Sequence, residues 1–195
     1  MREPQQATDH DESINHLNPD EAGEASEDTL SGESRGAVSS PPLHVVLYHP
    51  EIPPNTGNIG RTCVALSAQL WLVRPLGFDI SDAAIRRSGL DYWQHLELNV
   101  VDDWDQLCRE IRRQTDGTMW FCSRHARRTV WDVEFKRGDI FVFGCESSGL
   151  PESILDPDGD TSLRLPTDAK VRSLNLATTA GVFMYEHARQ ISQGT

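Results

Sequence analysis

The chain reads as an α/β protein built on a mainly parallel sheet. Two observations point there. Short apolar runs closed by Pro, Gly or Asp alternate with segments whose apolar residues recur at helical spacing. The stretches richest in Gly, Pro and small polar residues, 49–58, 144–151 and 166–174, each follow such a run. Loops at the carboxyl ends of parallel strands are where ligands bind in open α/β sheets.

Each element has its own warrant. His44–Tyr48 is an apolar run closed by Pro50, a buried strand. Asn55 or Thr56 then caps a helix running to about Gln69, with Ile59, Cys63 and Leu66 on the core face. Leu70–Arg74 is the next strand, ended by Pro75. Ser81 opens a short helix that Gly89 stops, and Leu96–Val101 suits a strand. Asp102 or Asp103 caps a helix with Trp104, Leu107 and Ile111 on one side. Met119–Ser123, Asp139–Phe143 and Leu163–Leu165 are strands. A closing helix runs from about Ser173 to Ile191, with Leu176, Ala180, Phe183 and His187 on one face.

Composition narrows the classes. The chain has 195 residues and a net charge of −12. Residues 1–42 hold ten acidic and two basic side chains and few apolar ones. That segment cannot bury enough surface to offset its ordering entropy and reads as a disordered acidic tail, leaving residues 43–195 as one folded domain. The tail has neither the basic-then-apolar pattern of a secretory signal nor the basic character of a transit peptide. No window is apolar enough to span a membrane. The cysteines (Cys63, Cys108, Cys122, Cys145) and seven histidines are dispersed, without metal-ligand spacing, so no metal is expected. Reduced thiols in a cytoplasmic protein are the simplest account. The net acidity argues against nonspecific coating of nucleic acid and leaves room for a local basic patch.

The usual phosphate-binding and nucleophile signatures, G-x-G-x-x-G, G-x-x-x-x-G-K-[ST] and G-x-S-x-G, are absent. Three loops remain. In Gly144–Pro151 (GCESSGLP) the glycines permit a tight loop that hugs a ligand, and Glu146 places an acid at a strand's carboxyl end. Taken alone, this segment reads first as a strand-to-helix turn. In Pro50–Arg61 (PEIPPNTGNIGR), Asn58 and Arg61 share the helix face opposite the apolar stripe. Free N–H groups at that helix start favour an anion, and Arg61 can clamp a phosphate; taken alone, the pair reads first as a secondary cap and a solvated arginine. Ser173 and Asn175 open the last helix, where plain capping suffices for both.

Together these pieces are more specific. PEIPPNTGNIGR, RRSGLDYW (86–93), FGCESSGLP (143–151), LRLP (163–166) and RSLNLA (172–177), in this order, resemble the SPOUT superfamily of knotted RNA methyltransferases. Within it, the chain is most similar to the TrmL-type tRNA (cytidine/uridine-34)-2′-O-methyltransferases. The resemblance covers residues 44–191. It implies a sheet whose C-terminal part threads a deep trefoil knot, an exception to the rule against knots. It implies S-adenosylmethionine held in the knot by Cys122, Gly144, Leu165 and Ser173, and a homodimer across which tRNA approaches. Asn58, Arg61, Glu146 and Asn175 match the polar positions near the reacting centre, with Arg61 the family's candidate for the proton of the ribose hydroxyl.

The chain departs from that pattern in two places. Cys145 and Ser148 stand where the glycine loop usually has Pro and Arg, and Leu176-Ala177-Thr178 stands where Leu-Ser-Asn is common. Two other readings stay open at this point. One is the same reaction at another tRNA or ribosomal RNA nucleotide; the other is an RNA-binding module of this fold without catalysis.

Overall fold

The computed structural model describes residues 41–80 and 92–193. The acidic tail expected over 1–42, apart from Pro41 and Pro42, lies outside the described residues, as does the short helix expected from Ser81 to Gly89.

Seven strands form one sheet: β1 (Leu43–Tyr48), β2 (Gln69–Val73), β3 (Leu98–Val101), β4 (Met119–Cys122), β5 (Arg128–Thr129), β6 (Asp139–Phe143) and β7 (Ser162–Arg164). Their order is β3-β2-β1-β6-β4-β7-β5, and every pairing between them is parallel. Three helices complete the described fold: α1 (Pro53–Ala65), α2 (Trp104–Ile111) and α3 (Leu176–Gln193). A 3₁₀ turn, Trp93–His95, precedes β3.

The core follows from strand alternation, which sends successive side chains to opposite faces. Leu43, Val45 and Leu47 of β1 join Phe141 and Phe143 of β6 against Ile59 and Cys63 of α1 and Ala180, Phe183 and Met184 of α3. Val46, Ile140 and Val142 turn the other way, to meet Trp71, Leu107 and Ile111. Both faces of the sheet are therefore covered, as parallel sheets require. Each fully buried Leu or Phe here contributes about 1.5–3 kcal/mol relative to exposure.

Most strands fall within a residue or two of expectation, and three helix boundaries move. The first helix begins at Pro53, with Ile52 in the cap position and no side-chain cap. Two prolines occupy its first turn, where a missing N–H costs nothing. Asn55 and Thr56 lie inside the helix and are buried. The helix ends at Ala65 rather than Gln69. Ser67 adopts φ +53°, Ala68 N–H donates to Cys63 O at 2.8 Å and Ser67 N–H to Val64 O at 3.3 Å, a Schellman closure built on a serine. The third change is at α3, where Asn175 rather than Ser173 is the cap: its Oδ1 accepts from the N–H groups of Ala177 (2.9 Å) and Thr178 (3.2 Å). The Asp103 cap is as expected, its carboxylate accepting from Gln106 N–H at 2.7 Å. The two-residue β5 escaped notice because it is too short to show a period.

Two histidines are buried in the core, His44 on β1 and His187 on α3. His44 Nδ1 accepts from Trp71 Nε1 at 3.3 Å, so the ring is neutral. Burial lowers its pKa to about 4, against a smaller opposing pull from the Gln69 side chain. Burial also lowers the pKa of His187. The unfolded chain takes up these protons near pH 6.5 and the folded chain only lower. Stability is therefore fully present above that pH and falls as pH drops toward 4, by on the order of 3 kcal/mol for His44. Urea denaturation across that range should show this slope, and His44→Gln should flatten it. An unchanged slope in His44→Gln would contradict the assignment.

Candidate functional site

A cleft of about 790 Å³ opens at the carboxyl ends of β4, β6 and β7. Its walls are the segments that leave those strands, 122–125, 143–150 and 163–176, together with Ile52 and Asn55 of the β1–α1 connection. All four positions matched to the cofactor, Cys122, Gly144, Leu165 and Ser173, line it, as do Glu146 and Asn175.

The turn after β6 is shaped by two glycines. A Cβ on Gly144 would stand 2.1 Å from the carbonyl carbon of Gly149, closer than any atom can approach, and Gly149 has φ +74°. Gly149 N–H donates to Cys145 O at 2.9 Å, closing the loop on itself. This fold-back carries Glu146 toward the start of α1.

There Glu146 becomes a junction. Its Oε2 accepts from Glu51 N–H and its Oε1 from the side-chain amide of Asn55, both at 2.9 Å. Asn55 is only 5% exposed, and its Oδ1 accepts from Asn175 Nδ2 at 2.9 Å. A chain of hydrogen bonds thus runs from the glycine loop through α1 to the cap of α3. Glu51 reciprocates, its carboxylate accepting from Ser147 N–H (2.9 Å) and Ser147 Oγ (2.8 Å). The anion expected at the start of α1 is therefore the chain's own Glu146, favourably placed against the helix dipole.

Asn58 and Arg61 lie elsewhere. Both are exposed on the outer face of α1, about one and two turns beyond Asn55, and neither lines the cleft. The Arg61 guanidinium stands over the ring of Tyr92, 4.7 Å from its centroid. Asn55 is the residue that sequence reasoning missed as a functional group. Read as a helix cap, it needed no further explanation, and no local spacing marked its amide for distant partners.

The remaining groups define the electrostatics. Arg124, Arg164 and Arg172 line the cleft, a cationic set suited to phosphate or carboxylate. The floor is apolar, with Phe143, Leu150 and Leu163 buried there. Burial raises the Cys122 thiol well above its usual pKa, keeping it protonated and unreactive. For Cys145, burial pushes the pKa up, but hydrogen bonds from the side chain and backbone of Ser148 and from Ser147 outweigh it and leave the thiol below its usual value. Among the described residues, no group of His, Cys, Asp and Glu could hold a metal ion, and no helix is long and apolar enough to cross a membrane.

Fold and site together define a parallel α/β protein with a cleft at its strand ends beside a cationic rim. Its family follows from comparison with known proteins. The sequence profile of the SpoU rRNA Methylase family matches residues 42–185, and the chain belongs to that family. A tRNA (cytidine(34)-2′-O)-methyltransferase from Methylovorus glucosotrophus (strain SIP3-4) is 43% identical over 149 residues, covering 75% of this chain and 94% of that protein. A solved structure described as giving structural insights into the 2-OH methylation of C/U34 on tRNA is 40% identical, with a TM-score of 0.72, over 78% of this chain and 97% of that one. A SpoU methyltransferase from Streptomyces viridochromogenes, solved with the cofactor AdoMet, shares the fold at 24% identity and a TM-score of 0.66, over 79% of this chain and 59% of that one.

The junction at Glu146 has a measurable consequence. Glu146→Ala leaves the buried Asn55 amide without its acceptor, which costs about 1–3 kcal/mol. Urea denaturation should show that loss, and amide hydrogen exchange at 144–150 should accelerate. An unchanged midpoint with unchanged exchange would contradict the role given to Glu146.

Proposed function

We propose that this chain transfers a methyl group from S-adenosylmethionine to the ribose 2′-hydroxyl of the wobble nucleotide, C34 or U34, of tRNA. The observation that carries the proposal is the Glu146–Asn55–Asn175 relay. It draws three separate loops into one cleft in a chain about 40% identical to relatives named for this reaction. Cys145, Ser148, Ala177 and Thr178 replace usual family residues without interrupting it. This favours an active enzyme over a binding module.

The residues present fit the cofactor. Leu150, Leu163, Leu165 and Phe143 offer an apolar bed for an adenine ring, and the Gly144 turn has no side chain between its backbone and a ligand. Bound there, S-adenosylmethionine supplies a methyl group made electrophilic by a sulfonium, with no metal. Glu146, which lines the cleft, favours that positive charge, and the relay holds the loop of Ser173 and Asn175 in place.

Arg61 and Asn58 act on the RNA. A guanidinium has a pKa above about 12 and is a poor base. Its work is to grip the phosphate beside the target ribose and polarise O2′, so that the proton leaves late or to that phosphate. Asn58, on the same helix face, orients the sugar. Both lie outside their own protomer's cleft, so the enzyme works as a homodimer in which α1 of one copy faces the cleft of the other. Val182 and Tyr185, exposed on α3 beside α1, give a second copy an apolar surface. The tRNA then lies across the interface, in the cytoplasm.

Residues 43–195 form the catalytic domain, and its C-terminal part is a deep trefoil knot. In support, β6 is inserted between the earlier strands β1 and β4, and after β7 the chain returns to lay α3 along α1.

Incubation of the purified chain with tRNA and methyl-labelled S-adenosylmethionine, followed by nucleoside analysis, tests this reading. Label should appear as 2′-O-methylcytidine or 2′-O-methyluridine at position 34; label at another nucleotide, or none, would overturn it. In the same assay Arg61→Ala should lower kcat by about a hundredfold or more while cofactor affinity stays within about twofold. Wild-type turnover in that variant would remove Arg61 from the mechanism.

A further inference from the structure

Trp131 is 58% exposed, and the proposed mechanism does not use it. An indole left in water presents a large apolar face, so its place in the fold matters. Trp131 lies in the turn that leaves β5. That strand is the edge of the sheet, parallel to β7, with Thr129 opposite Arg164. The turn therefore emerges at the carboxyl end of the sheet, one strand beyond the cleft at β4, β6 and β7. Neighbouring strands are about 4.8 Å apart.

The backbone of this turn is held from several sides. Asp132 N–H donates to Thr129 O at 3.1 Å. The Asp132 carboxylate accepts in return from the N–H (2.7 Å) and the hydroxyl (2.8 Å) of Thr129. Arg128 Nη2 donates to Asp132 O at 3.1 Å, and Val130 N–H to Arg164 O at 3.0 Å. Val130 and Val133, on either side, are buried in the core. Trp131 is thus fixed at its backbone and exposed at its side chain.

Charge is sorted between the two ends of β5. At its amino end the loop 156–160, with three aspartates, packs on the chain: Arg127 N–H donates to Pro157 O at 3.3 Å and Arg128 Nη1 to Asp160 O at 2.6 Å. At the carboxyl end Arg124, Arg164 and Arg172 line the cleft. Hydrogen bonds from the N–H and hydroxyl of Thr129, with the nearby charges of Arg128 and Arg164, hold the Asp132 carboxyl below its usual range, so the acid next to Trp131 is already answered. On a chain of net charge −12, this is the end that suits a polyanion. A fixed aromatic face beside guanidinium groups matches single-stranded nucleic acid, whose backbone is anionic and whose unpaired bases each have a face to stack. We infer that Trp131 is a base-stacking platform for RNA: an unpaired nucleotide of the loop that carries the target ribose stacks on its indole while the target enters the cleft. The inference rests on the proposed function and names a residue that recognises its substrate.

Fluorescence-anisotropy titration of end-labelled tRNA with the wild-type chain, Trp131→Leu and Trp131→Phe tests it. Trp131→Leu, apolar but without an aromatic face, should weaken binding about 5- to 100-fold, the worth of one stacked base. Trp131→Phe should recover most of that loss. The slope of affinity against salt should keep its wild-type value in both variants, because no phosphate contact is removed. An abasic nucleotide at one position of the tRNA loop should erase the difference between wild type and Trp131→Leu. Thermal unfolding, sedimentation and calorimetry with S-adenosylmethionine should leave both variants near wild type.

Wild-type tRNA affinity in Trp131→Leu would overturn the inference. So would a Trp131→Phe protein as weak as Trp131→Leu, or a difference that persists at every abasic position. A Trp131→Leu protein that changes its oligomeric state would assign the indole to a contact between copies of the chain and overturn it as well. A chain that binds tRNA through Trp131 but places no methyl at position 34 fails the proposed function alone; one that binds no tRNA fails both.

Discussion

The carboxylate of Glu146 sits at the amino end of α1, and the site is arranged around it. A helix start presents unpaired N–H groups and a partial positive charge. That partial charge is met here by an acid from a loop 95 residues further along the chain, which accepts from Glu51 N–H just before the helix and from the Asn55 side-chain amide in its first turn. That one side chain joins the turn after β6 to the turn after β1. Through Asn55 it reaches the cap of α3. Parallel strands bring the three loops to the same end of the sheet, and this side chain ties them to one another.

The backbone makes this junction possible. Gly144 and Gly149 let the loop double back, since a Cβ on the first would collide with the second and the second has a left-handed φ. Helix α1 then presents two working faces. Inward, Asn55 is buried and committed to the relay; outward, Asn58 and Arg61 are exposed, with Arg61 stacked on Tyr92. Because the helix is rigid, the geometry of its inner face is passed to its outer one. The prolines at its first turn and the Schellman closure at Ser67 fix where that rigid piece begins and ends.

Much of the fold was legible because it depends on local pattern. The run Asp139–Phe143 was read to the residue, and the Asp103 cap was visible from the acid before an amphipathic segment. What escaped depends on distant partners. Asn55 was taken for a cap because Asn favours caps. In the fold, two prolines already start the helix, which frees its amide for Glu146 and Asn175. Ser173 was preferred to Asn175 for the same kind of reason, and the cap went to the residue whose Nδ2 was also needed by Asn55. Cys122, Gly144, Leu165 and Ser173, matched to the cofactor by motif likeness, all line one cleft. Asn58 and Arg61 were expected beside them and lie on the outer face of α1, because helical spacing shows which residues share a face and not what that face meets.

Cofactor affinity in a double-mutant cycle on Asn55 and Glu146 tests the relay most directly. Calorimetric titration with S-adenosylmethionine would compare the wild-type chain with Asn55→Ala, Glu146→Ala and the double variant. If the two side chains act as one unit, each single change weakens binding about tenfold or more and the double change is little worse than either. Affinities that stay at the wild-type value, or losses that add in full, would show that the loops form the cleft without this junction.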